Sequence, residues 1–379
     1  MGSGPKARPV GPLGAEASAP RTAWPGRARR YEDYRAQRVF AGLDALRGLS
    51  IAGVVWHHAG VPVDGVLLST RGFVGVDAFF VLSGFLIVTL LLRERDRHGQ
   101  ISLRDFYLRR SLRIFPLYYG VVLGLALLLW LRPGFTLAGS FWSDLPWLLT
   151  YTANWVGITG LLSVTWSLAA EEQFYLLWPP VERFLGRLVL PVWVGAVAVN
   201  QVANFGLLDG LLPPGHRHED LEILQTTFTP ILLGVGLAHG LHHRKRYERW
   251  VPWLTHPGVR AGLVVVSVGV LGLAPELSGG PRLLVHLALV GLLASWVTGA
   301  GPRPRLRILS RLGKVSYGVY LLHLFVMHVL EQHLLPHAPV RVPGDRFVAC
   351  LLGTWLVAEA SFALYERPFL RLKGRFSRG

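Results

Sequence analysis

Charge is scarce in this 379-residue chain, where Asp, Glu, Lys and Arg make up 16% of residues and hydrophobic residues 51%, with a mean hydropathy of +0.38. That scarcity excludes an ordinary soluble domain and points to a polytopic membrane protein. Acidic residues are the rarer sign, 23 against 39 basic, for a net charge of +16. Such an excess could serve nucleic-acid binding, but the basic residues form short clusters between apolar runs, without a basic recognition motif, so no nucleic-acid partner is expected. Cysteine is nearly absent. The one thiol, Cys350, excludes an intramolecular disulfide framework, and its apolar surroundings suit a buried structural role better than nucleophilic chemistry. Also missing are an apolar signal-peptide core in the first residues and any internal repeat of about 20–50 residues.

What the chain has in abundance is long apolar runs. Stretches near 41–60, 73–92, 112–131, 163–180, 188–207, 222–240, 258–275, 281–299, 316–335 and 346–364 are long enough to span a bilayer. Residues 145–161, with Asp144 and Trp142 just before them and Pro146, Trp147, Asn154 and Trp155 within, resemble an interfacial or re-entrant segment instead. With the N-terminus inside, most basic residues fall in the stretches 1–40, 93–113, 181–187, 241–260, 300–314 and 365–379, as the positive-inside rule demands. The expected fold is therefore all-α, with about ten transmembrane helices in the cytoplasmic membrane and both termini cytosolic. A disordered basic tail is expected at 1–38, one transmembrane domain at 39–368, and a basic C-terminal tail at 369–379.

Ionisable residues at membrane depth are expensive and usually face a protein interior or a wet cavity, which makes each one a candidate site residue. Arg47 and His58 lie eleven residues apart. On a helix that spacing places them within roughly 20° of one face and about 16 Å apart along the axis, with His57 pointing elsewhere. An interfacial Arg with a separately packed His is the plainer reading. Arg110 and Arg113 share a helix face in a cationic patch suited to a polyphosphate, or to setting topology and meeting lipid headgroups. Asp77 could orient an imidazole as the third member of a triad does, or cap its span. Glu171 and Glu172 point about 100° apart, so one is expected in an ion pair and the other is open to substrate. Ser316, Tyr320 and His323 form a polar stripe that either lines a cavity or packs between helices. Histidines at His216-Arg217-His218 and His242-His243 fall on opposite sides in this topology and give no four-ligand set, so no metal is expected.

Taken together, Leu43-Asp44-Ala45-Leu46-Arg47-Gly48 with His58, Gly75-Val76-Asp77 to Phe85, Arg110-Ser111-Leu112-Arg113, Trp166-Ser167-Leu168 with Glu171-Glu172-Gln173, and Ser316-Tyr317 to His323 resemble the acyltransferase-3 membrane family from about Arg38 to Pro368. The resemblance implies an O-acyltransferase with an acyl-CoA donor, often acetyl-CoA, and a hydroxyl acceptor on a saccharide, lipid or secondary metabolite. It implies that His58 is catalytic, that Arg47 partners it, and that Arg47, Arg110 and Arg113 bind the donor. It also implies that the membrane domain itself modifies the acceptor, since the hydrolase-like domain of large members is not seen. A transporter or flippase for an acylated or anionic metabolite is the alternative that the intramembrane charges allow.

Overall fold

The computed structural model describes residues 28–37, 40, 42–60, 66–132, 138–211, 228–299, 306–334 and 344–372. Among these residues the chain is helical throughout, and a lone bridge between Ala28 and Gly299 stands in place of any sheet. The α-helices are α1 (Tyr31–Ala36), α2 (Leu43–Ala59), α3 (Val74–His98), α4 (Leu103–Leu131), α5 (Ala138–Leu149), α6 (Thr165–Phe184), α7 (Val189–Asn204), α8 (Thr229–His242), α9 (Arg244–Leu254), α10 (Pro257–Leu273), α11 (Gly279–Thr298), α12 (Arg307–Lys314), α13 (Ser316–Val329), α14 (Asp345–Ser361) and α15 (Arg367–Leu372).

Among the described residues, five helical stretches are long and apolar enough to cross a membrane: Val74–His98, Leu103–Leu131, Gly186–Asn204, Gly279–Thr298 and Asp345–Leu372. Two bent pairs bring the number to as many as seven, α9 with α10 at 75° and α12 with the helix from Ser316 to His333 at 78°. The described helices thus support five to seven of the ten spans expected from hydropathy. The shortfall has local causes. Helix α2 has only 17 residues, α6 carries Glu171, Glu172, Glu182 and Arg183, and α8 begins at Thr229 beside residues 212–227, which lie outside the described part. Large side chains cover the exterior of the crossing helices, with Leu273 81% exposed, as lipid-facing surfaces allow.

Small residues bring the functional helices into backbone contact. A side chain at Gly48 would strike the backbone of Leu309, and one at Gly313 would strike the carbonyl of Asp44, so α12 lies directly against the first half of α2. Gly84 and Gly234 do the same for α3 and α8, facing Ile231 and Val81. These are the close approaches by which apolar helices associate when lipid offers no hydrophobic drive.

The expected N-terminal tail needs correction at its inner end. Residues 28–37 hold α1 against the cytosol-assigned ends of α3, α8 and α11. Tyr34 is 1% exposed, Arg93 donates from Nη2 to its carbonyl at 2.9 Å, and the Arg29 amide donates to Thr298 O at 2.8 Å. Arg93 also lies 4.9 Å from the Phe40 ring centroid. A buried aromatic and a satisfied guanidinium offset the cost of ordering this short stretch, which tail-like composition concealed. The expected tail over residues 1–27 and most of 369–379 lies outside the described residues.

Helix α5 has 12 residues, about 18 Å of rise and too short to cross. Two residues past its end comes Tyr151, whose φ of 55° puts a non-glycine residue in the left-handed region, before 3-10 turns at Ala153–Trp155 and Gly160–Leu162. Gln173 on α6 holds this corner, donating from Nε2 to Tyr151 O at 2.9 Å and to Asn154 Oδ1 at 2.8 Å.

Candidate active site

Three guanidinium groups converge. Arg47 from α2 and Arg110 and Arg113 from α4 line one cavity of about 100 Å³, together with Ser83, Glu171, Tyr175 and Tyr320. Each is held differently. Arg47 Nη1 donates to Asp44 Oδ1 at 3.2 Å, Arg110 stacks 4.4 Å above the Tyr175 ring, and Arg113 lies among Arg47, Arg110, Tyr175 and Glu171. Glu171 accepts from Ser83 Oγ and from the Tyr175 hydroxyl. The cavity therefore combines net positive charge with one anchored carboxylate. Forked guanidinium donors suit phosphate oxygens.

Glu172, the neighbouring carboxylate, turns away as its helix position requires. Its Oε1 and the Tyr151 hydroxyl are both buried without a hydrogen-bond partner among the described residues. Glu172 acts electrostatically on Tyr119, Tyr151 and Tyr317 and also feels the charge of Arg110, so it sits between an aromatic cluster and the edge of the arginine set.

His58 stands three turns farther along α2 and does not line the cationic cavity. Its Nδ1 lies 3.0 Å from Val54 O and 3.2 Å from His323 Nε2, with the two rings 4.9 Å apart. His323 is fully buried, its Nδ1 2.6 Å from Tyr320 O. Tyr320 links the two regions. Its ring lies 5.9 Å from that of His323, its hydroxyl donates to Val164 O at 3.0 Å and meets Ser167 Oγ at 2.6 Å, and the same side chain lines the cationic cavity. His57 points to the neighbouring loop, its Nδ1 3.0 Å from Thr70 O.

Asp77 is brought to a different imidazole from the one expected. On α3 it meets α11, with His286 Nε2 3.1 Å from Oδ2 and an Arg282 terminal nitrogen 3.7 Å from Oδ1. Two residues before it, Gly75 faces Ser50 of α2. A two-residue step turns a helical side chain about 200°, so Asp77 looks away from the helix that carries His58.

Sequence reasoning missed His286, although an ionisable residue inside an apolar run was the signal that could have found it. It also missed the buried set of Glu182 with Trp178 Nε1 at 3.0 Å and His239 Nε2 at 2.7 Å. Ser83 carried no signal at all, since a serine in an apolar helix usually bonds its own backbone. Of the histidine pairs weighed for metal, His216 and His218 lie outside the described residues, while His242 meets Arg35 and Asp96.

The model of the acyltransferase-3 family, an acyltransferase domain, matches residues 40–365. The chain belongs to this family. It is similar to the O-acetyltransferase OatA of Staphylococcus aureus strain NCTC 8325 and to that of strain COL, each 27% identical over 382 residues that cover 91% of this chain. The aligned region amounts to 59% of either relative, so the chain spans well under two thirds of their length. No solved structure matches it. The match extends over α2 to α14, and so includes every arginine and histidine of the candidate site.

Proposed function

We propose that this chain is an integral-membrane O-acyltransferase. It moves an acyl group, with acetyl as the default, from acyl-CoA to a hydroxyl of a saccharide, glycolipid or secondary metabolite. The observation that carries this reading is the convergence of Arg47, Arg110 and Arg113 on one cavity, with the His58–His323 pair one side chain beyond it at Tyr320. Family membership and the names of the relatives support the same chemistry.

In this reading the arginines hold the donor's phosphates, and the acyl-thioester end runs along α2 towards His58. The acceptor oxygen attacks the thioester carbonyl carbon, the carbon–sulfur bond breaks, and the hydroxyl proton passes to His58 and then to the departing thiolate. Positioned base catalysis of this kind contributes about 10²–10⁴-fold in rate. The same imidazole can instead take the acyl group and hand it to the acceptor. A donor in the cytosol fits ten crossings with both termini inside, in the cytoplasmic membrane, with the transmembrane domain running from 39 to 368. Asp77, proposed from sequence as part of the catalytic set, is reassigned to the α3–α11 contact.

The test is comparative mass spectrometry of envelope glycans, lipids and secreted metabolites from a deletion strain complemented with wild type or His58→Ala. A species that gains an acyl mass with the wild-type gene alone supports the reading. Equal acylation with the variant overturns the role of His58, and a change in location without a change in acylation favours a transporter.

A further inference from the structure

We infer that His323 is a positioning residue that keeps the proton of His58 on Nδ1 and leaves the Nε2 lone pair free to react. The inference rests on the reading of His58 as the reacting group and goes beyond it by naming the atom and the device that selects it.

The argument starts from a carbonyl. Tyr320 O can only accept, so His323 Nδ1, 2.6 Å away, must carry the hydrogen. In a neutral ring the other nitrogen is then bare, which makes His323 Nε2 an acceptor. The atom facing it at 3.2 Å is His58 Nδ1, which must therefore donate. A second contact makes the same demand independently. Val54 O, 3.0 Å from His58 Nδ1, also accepts only, so one N–H is shared between a backbone carbonyl and His323. Both contacts place the proton on the same nitrogen. A neutral His58 then has its lone pair on Nε2, the form a base or nucleophile requires.

Holding the tautomer takes a rigid partner. His323 is fully buried, its ring is tied by Nδ1 to its own helix, and its backbone carbonyl faces Cys350 Sγ at 3.7 Å. The role is the one a carboxylate plays beside a catalytic imidazole, orienting the ring and fixing its tautomer, but here a neutral imidazole performs it. When Nε2 takes the acceptor's proton, the hydrogen on Nδ1 stays where it is, and the charged ring keeps both of its Nδ1 acceptors. No second proton transfer is needed.

The test uses the full chain in lipid nanodiscs with ¹⁵N-labelled histidine, the His58 signals being those lost in His58→Ala. Wild type is expected to show His58 protonated at Nδ1 and bare at Nε2. His323→Leu removes the acceptor and is expected to populate the other tautomer, while His323→Gln supplies a side-chain carbonyl and restores the wild-type pattern. In membranes of the producing strain given acetyl-CoA, release of the CoA thiol is expected to fall roughly tenfold in kcat for His323→Leu, about the worth of one hydrogen bond, without a change in KM, and to recover in His323→Gln. A wild-type His58 protonated at Nε2 overturns the inference, as does equal activity in the Leu and Gln variants. Thiol release undiminished in His58→Ala overturns the underlying reading instead, and the tautomer measurement, which needs no turnover, keeps the two failures apart.

Discussion

Two imidazoles inside the apolar helices, His286 fully buried and His58 half-buried, meet opposite kinds of partner. His286 faces the carboxylate of Asp77 at 3.1 Å with Arg282 close behind, whereas His58 faces the neutral ring of His323 at 3.2 Å and a backbone carbonyl. A carboxylate beside an imidazole ties the two side chains into a fixed polar pair, which suits a clamp between α3 and α11. A neutral acceptor orients the ring without holding it charged, which leaves a lone pair for chemistry. Depth in the membrane is therefore not enough to assign a role; the partner decides it.

That contrast breaks most sharply at His58, the proposed catalytic end. His58→Ala is expected to lower acyl transfer by about 10²–10⁴-fold while His57→Ala, aimed at the loop carbonyl of Thr70, retains it, as CoA-thiol release from acetyl-CoA in membranes measures. Equal losses would mean that the two rings are not distinguished by their partners. At the clamp, the expected loss is of structure rather than rate. Asp77→Ala leaves the fully buried His286 and the half-buried Arg282 without their carboxylate and should cost about 3–5 kcal/mol, visible as a lower melting temperature of the detergent-solubilised protein. A stable Asp77→Ala protein with abolished kcat would return Asp77 to the reaction.

Arg113→Ala and Arg110→Ala are expected to raise KM for acetyl-CoA by roughly 10–100-fold, the range of one charge-assisted hydrogen bond, with a smaller change in kcat. Arg→Lys at either position should recover only part of that affinity, because an ammonium cannot fork. The smallest effect sharpens the comparison from outside. Glu359→Gln breaks the Arg311–Glu359 pair at the surface and should change stability by no more than about 1 kcal/mol, against the much larger loss for the buried Asp77 pair.

Much of this was legible along the chain. Hydropathy identified an all-helical membrane protein, helical periodicity put Arg47 and His58 on one face of α2, and the spacing of Arg110 and Arg113 put both on one face of α4, because these depend only on local geometry and composition. Span counting by composition gave ten where the described helices support five to seven, since a window of apolar residues does not register that α2 is short or that α6 carries Glu171, Glu172, Glu182 and Arg183. The tail reading failed at residues 28–37 for a related reason, as only the packed fold shows Tyr34 buried and Arg93 satisfied by the carbonyls of Tyr34 and Gln37.

The sequence by itself determined which residues are costly in a membrane and which share a helix face, because both follow from side-chain chemistry and a fixed turn of the helix. Only the tertiary structure decided who meets whom. Asp77 turned to His286 and not to His58, His323 came to His58 from a helix 265 residues away, and Gly48 and Gly313 let α12 press against α2. Those pairings arise from helices packed side by side, and separation along the chain carries no record of them.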